Sequence, residues 1–382
     1  MSDDLLARML QTAALAGASD IHLTAGQAPL MRVDGDLVPL TGHGERQPAA
    51  QLEDVLLGML SPAQRDEFAE RSEVDLSFTA EGIGRVRVNV FRQVGQIAAA
   101  LRLIPNRVFG LDELGVPPIA HELALRPRGL VLVTGPTGSG KSTTLTAMVD
   151  IINRTRAAHI ITIEDPIEFP HRSRRSLVHQ REIGSDTASF AEALRRVLRQ
   201  DPDVILIGEL RDRESIAAAL SAAETGHLVL STLHTQGAAK SINRIVDAFE
   251  SHQQDQIRTQ LGDTLQGIVS QTLMPLAQDA GRTIATEVLV NTPAVANMIR
   301  EGQIAQLYSA MQAGQSLGMH TLDQDLARLV ADGTIAPHVA RAMAVDPRSL
   351  DDVHVRPRDL DAEAWSLHAA DERSLTQWGV RS

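Results

Sequence analysis

Through the first hundred residues apolar and polar positions alternate in short stretches, and beyond them the apolar residues gather into brief unbroken runs. Helical spacing over 3–16 is followed by short strands at 21–23, 30–33 and 37–40, the last two joined by the turn Asp34-Gly35-Asp36. Residues 51–69 predict two helices parted at Ser61-Pro62, where serine suits a cap and proline a first turn. The stretches 74–78, 84–91 and 96–104 alternate as antiparallel strands do. These elements predict a small α+β domain over 1–104, and the Pro- and Gly-rich stretch 105–118 reads as a linker.

From 119 the order becomes strand, helix, strand, helix, as a parallel sheet requires. The runs at 130–134, 159–163, 203–207 and 227–232 are largely β-branched and aliphatic, the composition of strands buried on both faces. Helical stretches at 142–153, 190–199 and 215–224 separate them. Further strands are expected near 268–274 and 284–290, and helices over 293–345. Residues 119–345 therefore read as an α/β domain, and 346–382, acidic and polar with isolated Trp365 and Trp378, as a loosely held tail. There is no internal repeat.

Between the first two runs of this second domain lies the candidate chemistry. Gly135-Pro136-Thr137-Gly138-Ser139-Gly140-Lys141-Ser142, followed by Thr143, fits G-x-x-x-x-G-K-[ST] between a predicted strand and a predicted helix. In that pattern glycines let backbone N–H groups turn inward around phosphates, lysine reaches the β/γ oxygens, and the serine hydroxyl binds Mg²⁺. Phosphate then sits at a helix N-terminus. Lys141 is one of two lysines, against thirty-four arginines. A chain that writes Arg wherever charge suffices keeps Lys here for its compact ammonium.

Composition narrows the setting. A chain of 382 residues, 43% hydrophobic, has room for two cores. Without cysteine it has no disulfide and no cysteine-ligated zinc or iron–sulfur centre. A net charge of −12 weighs against a sequence-independent grip on DNA, and 3% aromatics against base-stacking platforms, so no direct nucleic-acid partner is expected. No window is apolar for long enough to span a membrane, and Met1-Ser2-Asp3-Asp4 lacks the basic start of a signal peptide. Cytoplasmic residence is the expectation.

In an open parallel sheet, ligands sit beyond the strand C-termini. Glu164 and Asp165 follow one predicted strand, Gly208 and Glu209 another, and Ser231-Thr232-Leu233-His234 end a third, all expected near one nucleotide. Glu209 is the candidate to orient or deprotonate an attacking water. Gly208 stands where such a strand end ordinarily offers Asp to hydrated magnesium, so the metal is expected on Ser142 and nucleotide oxygens, with Glu164 or Asp165 reaching it through water. A capped turn is the plainer reading of Glu164-Asp165-Pro166-Ile167-Glu168, but its position beside the phosphate loop favours function. His234 is read as a γ-phosphate sensor rather than a core histidine; His227, at the opposite edge, as structural.

Ser19-Asp20-Ile21-His22-Leu23, the phosphate loop, Ile163 to Glu168, Arg199 to Asp212 and Thr225 to Thr235 together resemble the secretion and type IV pilus ATPases, within them the retraction (twitching motility) group. The last three stretches match that family's Asp box, atypical Walker B and His box. The resemblance implies an ATP-hydrolysing homohexamer with Mg²⁺ as cofactor, each chain a PAS-like N-terminal domain on a RecA-like core, with ATP between them. It places the family's catalytic glutamates on Glu209 and Glu164, its box histidines on His227 and His234, and its N-terminal arginines among Arg87, Arg92 and Arg102. It further implies a platform protein of the inner membrane as partner, residence at the inner face of that membrane when docked, and a second pilus ATPase as a further candidate partner. Neither the longer N-terminal region nor the tetracysteine loop of assembly and type II secretion ATPases is present. The retraction-type motif appears as Ala294-Val295-Ala296-Asn297-Met298-Ile299-Arg300-Glu301, with Ala296 where the family has Arg, and 317–324 also resembles that group. Assembly or secretion ATPases, and a RecA-like nucleic-acid translocase, are the alternatives.

Overall fold

The computed structural model describes residues 2–354, apart from 34, 43–45, 47, 106, 279 and 280. Most of the expected tail, with Trp365 and Trp378, and Asp34 of the expected turn lie outside the described residues. In chain order the N-terminal elements are α1 (Ser2–Leu15), β1 (Asp20–Thr24), β2 (Leu30–Val33), β3 (Asp36–Pro39), α2 (Ala49–Met59), α3 (Pro62–Arg71), β4 (Glu73–Ala80), β5 (Gly84–Gln93) and β6 (Gln96–Pro105). Then follow α4 (Ile119–Ala124), β7 (Gly129–Thr134), α5 (Lys141–Thr155), β8 (His159–Glu164), β9 (Leu177–Glu182), α6 (Phe190–Val197), β10 (Val204–Ile207), α7 (Arg213–Glu224) and β11 (Leu228–Leu233). The chain continues through α8 (Ala238–Val246), α9 (Gln254–Thr264), β12 (Leu265–Pro275), β13 (Arg282–Val290), α10 (Pro293–Arg300), α11 (Leu307–Ala313), α12 (Leu322–Ala331) and α13 (Pro337–Met343).

The described residues form two compact units, one running up to Phe109 and including Leu145–Leu210, the other comprising Gly110–Thr144 and the chain from Arg211. The first holds a six-stranded antiparallel sheet in the order β3-β2-β1-β6-β5-β4. Strand period explains its two faces: Val86, Val88 and Val90 of β5 are fully buried, whereas Arg85, Arg87 and Asn89 between them point the other way. Leu10, Leu52 and Leu56 of the helices pack into the same core. The break at Ser61 is a capping box, Gln64 N donating to Ser61 Oγ at 3.3 Å and Ser61 N to Gln64 Oε1 at 3.0 Å.

In the first unit β10, β8 and β9 also run parallel in that order. In the second unit β12 and β11 flank β7, parallel to it, and β13 closes the edge antiparallel to β12. Every residue of β7, β10 and β11 is buried, as their unbroken apolar composition requires. A second apolar cluster joins Met274 and Ala285 to Leu326, Leu329 and Val330 of α12, whose start Thr321 caps. Ala296, the departure from the family motif, is buried on α10, where its carbonyl lies 3.0 Å from a Cβ built on Gly262 of α9. The sequence pattern does not single out β9, α4, α8 or α9. Strand β9, Leu-Val-His-Gln-Arg-Glu, has too little apolar alternation to declare itself, because most of its side chains are spent on polar contacts.

Candidate functional site

In the second unit, strand register assembles the phosphate loop. Thr134 of β7 lies opposite Leu233 of β11, so Gly135 begins the loop beside the residue where His234 begins the other. Gly135 has φ +142° and its missing Cβ would fall 2.2 Å from the carbonyl oxygen of Gln271, a space no side chain can share. Gly138 and Gly140 also adopt positive φ, +80° and +87°. Lys141 opens α5, is 8% exposed, and curls back to donate from Nζ to the carbonyls of Gly135 at 2.9 Å and Pro136 at 3.0 Å. The first N–H groups of α5 have no partner within the helix and carry its positive end. Ser142, next in the chain, is exposed. A closed loop, a helix start, an ammonium and an exposed hydroxyl fit a Mg-bound polyphosphate.

Gln271 of β12, 1% exposed, is a site residue that motif reading does not reach. Its Nε2 donates to Ser139 O at 2.7 Å and its Oε1 accepts from Thr144 Oγ1 at 3.0 Å, tying the loop to the first turn of α5. Gln271→Leu keeps the volume but strands two buried polar groups, at about 1–3 kcal/mol each. A lower melting temperature and roughly tenfold weaker ATP binding are expected; unchanged titration curves would discount the clamp.

Thr137 and His234 meet across the mouth of the loop, Oγ1 to Nδ1 at 3.3 Å. Partial burial first, then the charges of Lys141 and Arg211, hold the His234 pKa below the usual histidine range. The imidazole is therefore neutral at neutral pH and gains its proton only as pH falls below that range. A bound triphosphate brings opposite charge and should raise the midpoint. NMR titration of the imidazole with and without ATP checks this: no upward movement would separate His234 from the nucleotide. His227, by contrast, places Nδ1 3.0 Å from Ala222 O and 3.2 Å from Thr225 Oγ1, where it fastens the turn between α7 and β11.

In the first unit the ends of β8 and β10 lie side by side, Ile163 opposite Ile207, with Gly208 N donating to Ile163 O at 2.8 Å. Glu164 and Glu209 therefore leave adjacent strands. A Cβ on Gly208 would stand 3.3 Å from Ile163 O and 3.5 Å from Glu164 Cα, a close but not closed fit at this strand end. Glu164 accepts from Thr162 Oγ1 at 2.6 Å and Gln180 Nε2 at 3.0 Å. Burial pushes its carboxyl above the usual range, these two bonds oppose the shift, and the carboxylates of Glu168 and Glu182 add to it. The Asp165–Pro166 peptide that follows is cis.

The N-terminal arginines fall apart into different environments. Arg87 and Arg102 face each other across β5 and β6 and are exposed. Arg102 Nε donates to Asp20 Oδ1 at 2.9 Å. Arg92 lies over the Phe68 ring at 5.2 Å and pairs with Glu53 at 3.8 Å. It is Arg85, outside the candidate set, that is drawn inward, to Glu182. Among the described residues no group of three His, Cys, Asp or Glu side chains could hold a metal by itself, and no helix is long and apolar enough to cross a membrane.

A family model described as Type II/IV secretion system protein matches residues 2–287. The chain belongs to that family. This family member is 49% identical over 346 residues to the Type IV pilus retractation ATPase PilT of Pseudomonas aeruginosa, covering 90% of the present chain and 99% of that protein. It is 46% identical to a twitching motility protein of Neisseria gonorrhoeae, over 90% and 91% of the two chains. Its fold matches the crystal structure of the pilus retraction motor PilT with bound ADP at a TM-score of 0.85 and 46% identity, over 90% of this chain and 98% of that one. The expected α/β class with a mainly parallel sheet behind a small N-terminal domain is thereby met.

Proposed function

We propose that this chain is an ATPase that powers type IV pilus retraction. Near-full-length similarity to a retraction ATPase supports the reading, and the observation that carries its chemistry is the phosphate loop closed over buried Lys141. Gly135, Pro136, Thr137, Gly138, Ser139, Gly140, Lys141, Ser142 and Thr143 hold the triphosphate. Ser142 would be the side-chain ligand for Mg²⁺, with Glu164 or Asp165 reaching it through water; the ion would supply positive charge to the triphosphate. Glu209 takes a proton from water as its oxygen bonds to the γ-phosphorus and the bridging O–P bond breaks, leaving ADP and phosphate. His234 reads the γ-phosphate, and exposed Arg87 and Arg102 supply positive charge from the N-terminal sheet.

The working assembly is a homohexamer docked on a platform protein at the inner face of the membrane, with movement carried across the linker 105–118 between domains 1–104 and 119–345. Two measurements test the reading together. Purified protein should hydrolyse ATP and run as a six-membered ring with Mg-ATP, and expression in a twitching bacterium lacking its retraction ATPase should restore motility. Restored surface pili in a strain lacking its assembly ATPase would instead support the assembly branch, and DNA-stimulated hydrolysis a translocase.

A further inference from the structure

Glu182 ends β9 at 7% exposure and spends both carboxylate oxygens on two separate parts of the first unit. Oε1 accepts from Ser77 Oγ at 2.7 Å. Oε2 accepts from Arg85 Nη2 and from the backbone N–H of Ile167, the latter at 3.0 Å. Arg85 Nη2 also donates to Ser77 Oγ at 2.7 Å, so β4 and β5 of the N-terminal sheet present a matched pair of donors to one buried carboxylate. Ile167 lies in the loop that leaves Glu164.

That loop is moulded on β9. Two residues before Glu182, and on the same face of the strand, Gln180 donates to Glu164 Oε1 and to Phe169 O, each at 3.0 Å, and accepts from His171 N at 2.6 Å. Glu164 O in turn accepts from Ile183 N at 2.9 Å. The side chains of Arg85 and Glu182 are 19% and 10% exposed. A buried ion pair is a poor source of stability, since desolvation cancels most of its attraction, but it is highly directional. Here it fixes one strand end relative to one sheet.

We propose that Arg85 and Glu182 form a coupling that lets the N-terminal sheet set the position of the Glu164 loop, making both of them positioning residues for hydrolysis. The inference rests on the ATPase reading above. A displacement of β4 and β5 drags Glu182, and through Ile167 and Gln180 the loop follows. The phosphate loop makes none of the contacts described here, so binding and turnover should separate.

The test is steady-state ATPase kinetics on the full chain for Arg85→Ala, Arg85→Lys and Glu182→Gln, with hydrogen exchange at the Ile167 amide. Arg85→Ala and Glu182→Gln are expected to lower kcat roughly 10- to 100-fold while KM and ATP affinity stay within about twofold. Arg85→Lys should recover part of kcat, and Ile167 should lose protection in Arg85→Ala. Unaltered kcat in Arg85→Ala overturns the coupling. So does a parallel loss of melting temperature and kcat in all three variants, which would make the pair a strut of the fold. Wild-type protein without ATPase activity would refute the underlying reading instead, so the two failures are distinguishable.

Discussion

Lys141→Ala is expected to abolish nucleotide binding at ATP concentrations that saturate the wild type. Lys141 is 8% exposed, and the place of its ammonium is fixed by the carbonyls of Gly135 and Pro136. Charge-assisted bonds to phosphate oxygens are worth about 1.5–3 kcal/mol each, so losing two weakens binding by roughly 10²- to 10⁴-fold. The substitution also leaves the two carbonyls facing a hole, which loosens the loop. Arginine should not rescue it, because a planar fork cannot replace a compact ammonium held between the carbonyls of Gly135 and Pro136. Fluorescent-nucleotide titration decides the matter; an affinity within threefold of wild type would show that the triphosphate sits elsewhere.

Glu209→Gln is expected to give the opposite split, with ATP bound at near-normal affinity and turnover reduced about 10²- to 10⁴-fold. The amide keeps the volume of the carboxylate but cannot accept a proton from water. Glu164 is the rival for this role, since it leaves the neighbouring strand. Its carboxylate already accepts from Thr162 and Gln180, which suits a fixed polar support better than a mobile base. Glu164→Gln should therefore lower kcat less than Glu209→Gln. Single-turnover hydrolysis measures both, and undiminished turnover in Glu209→Gln would return the catalytic assignment to Glu164.

Much of the architecture was legible because it is locally encoded. The break between α2 and α3 was readable from Ser61-Pro62, whose cap forms within four residues. The unbroken apolar runs gave β7, β10 and β11, since a strand buried on both faces has no choice of polarity. Strand β9 escaped because its residues are polar for a reason that lies elsewhere: Gln180 and Glu182 bind a loop and a sheet, and no periodic signal records that. The arginines show the same limit. Arg85, Arg87 and Arg102 look alike in an alternating strand, and only the placement of Glu182 distinguishes Arg85.

The sequence by itself determined the phosphate loop and the strand ends that carry Glu164, Glu209 and His234, because spaced glycines before a lysine and a helix, and unbroken apolar runs before the other strand ends, are local signals. Tertiary structure alone decided which side chains hold those pieces. Gln271 reaches Ser139 across 132 positions and Arg85 reaches Glu182 across 97, and such pairings follow from strand order and register, which place remote residues within hydrogen-bonding distance while leaving no pattern along the chain.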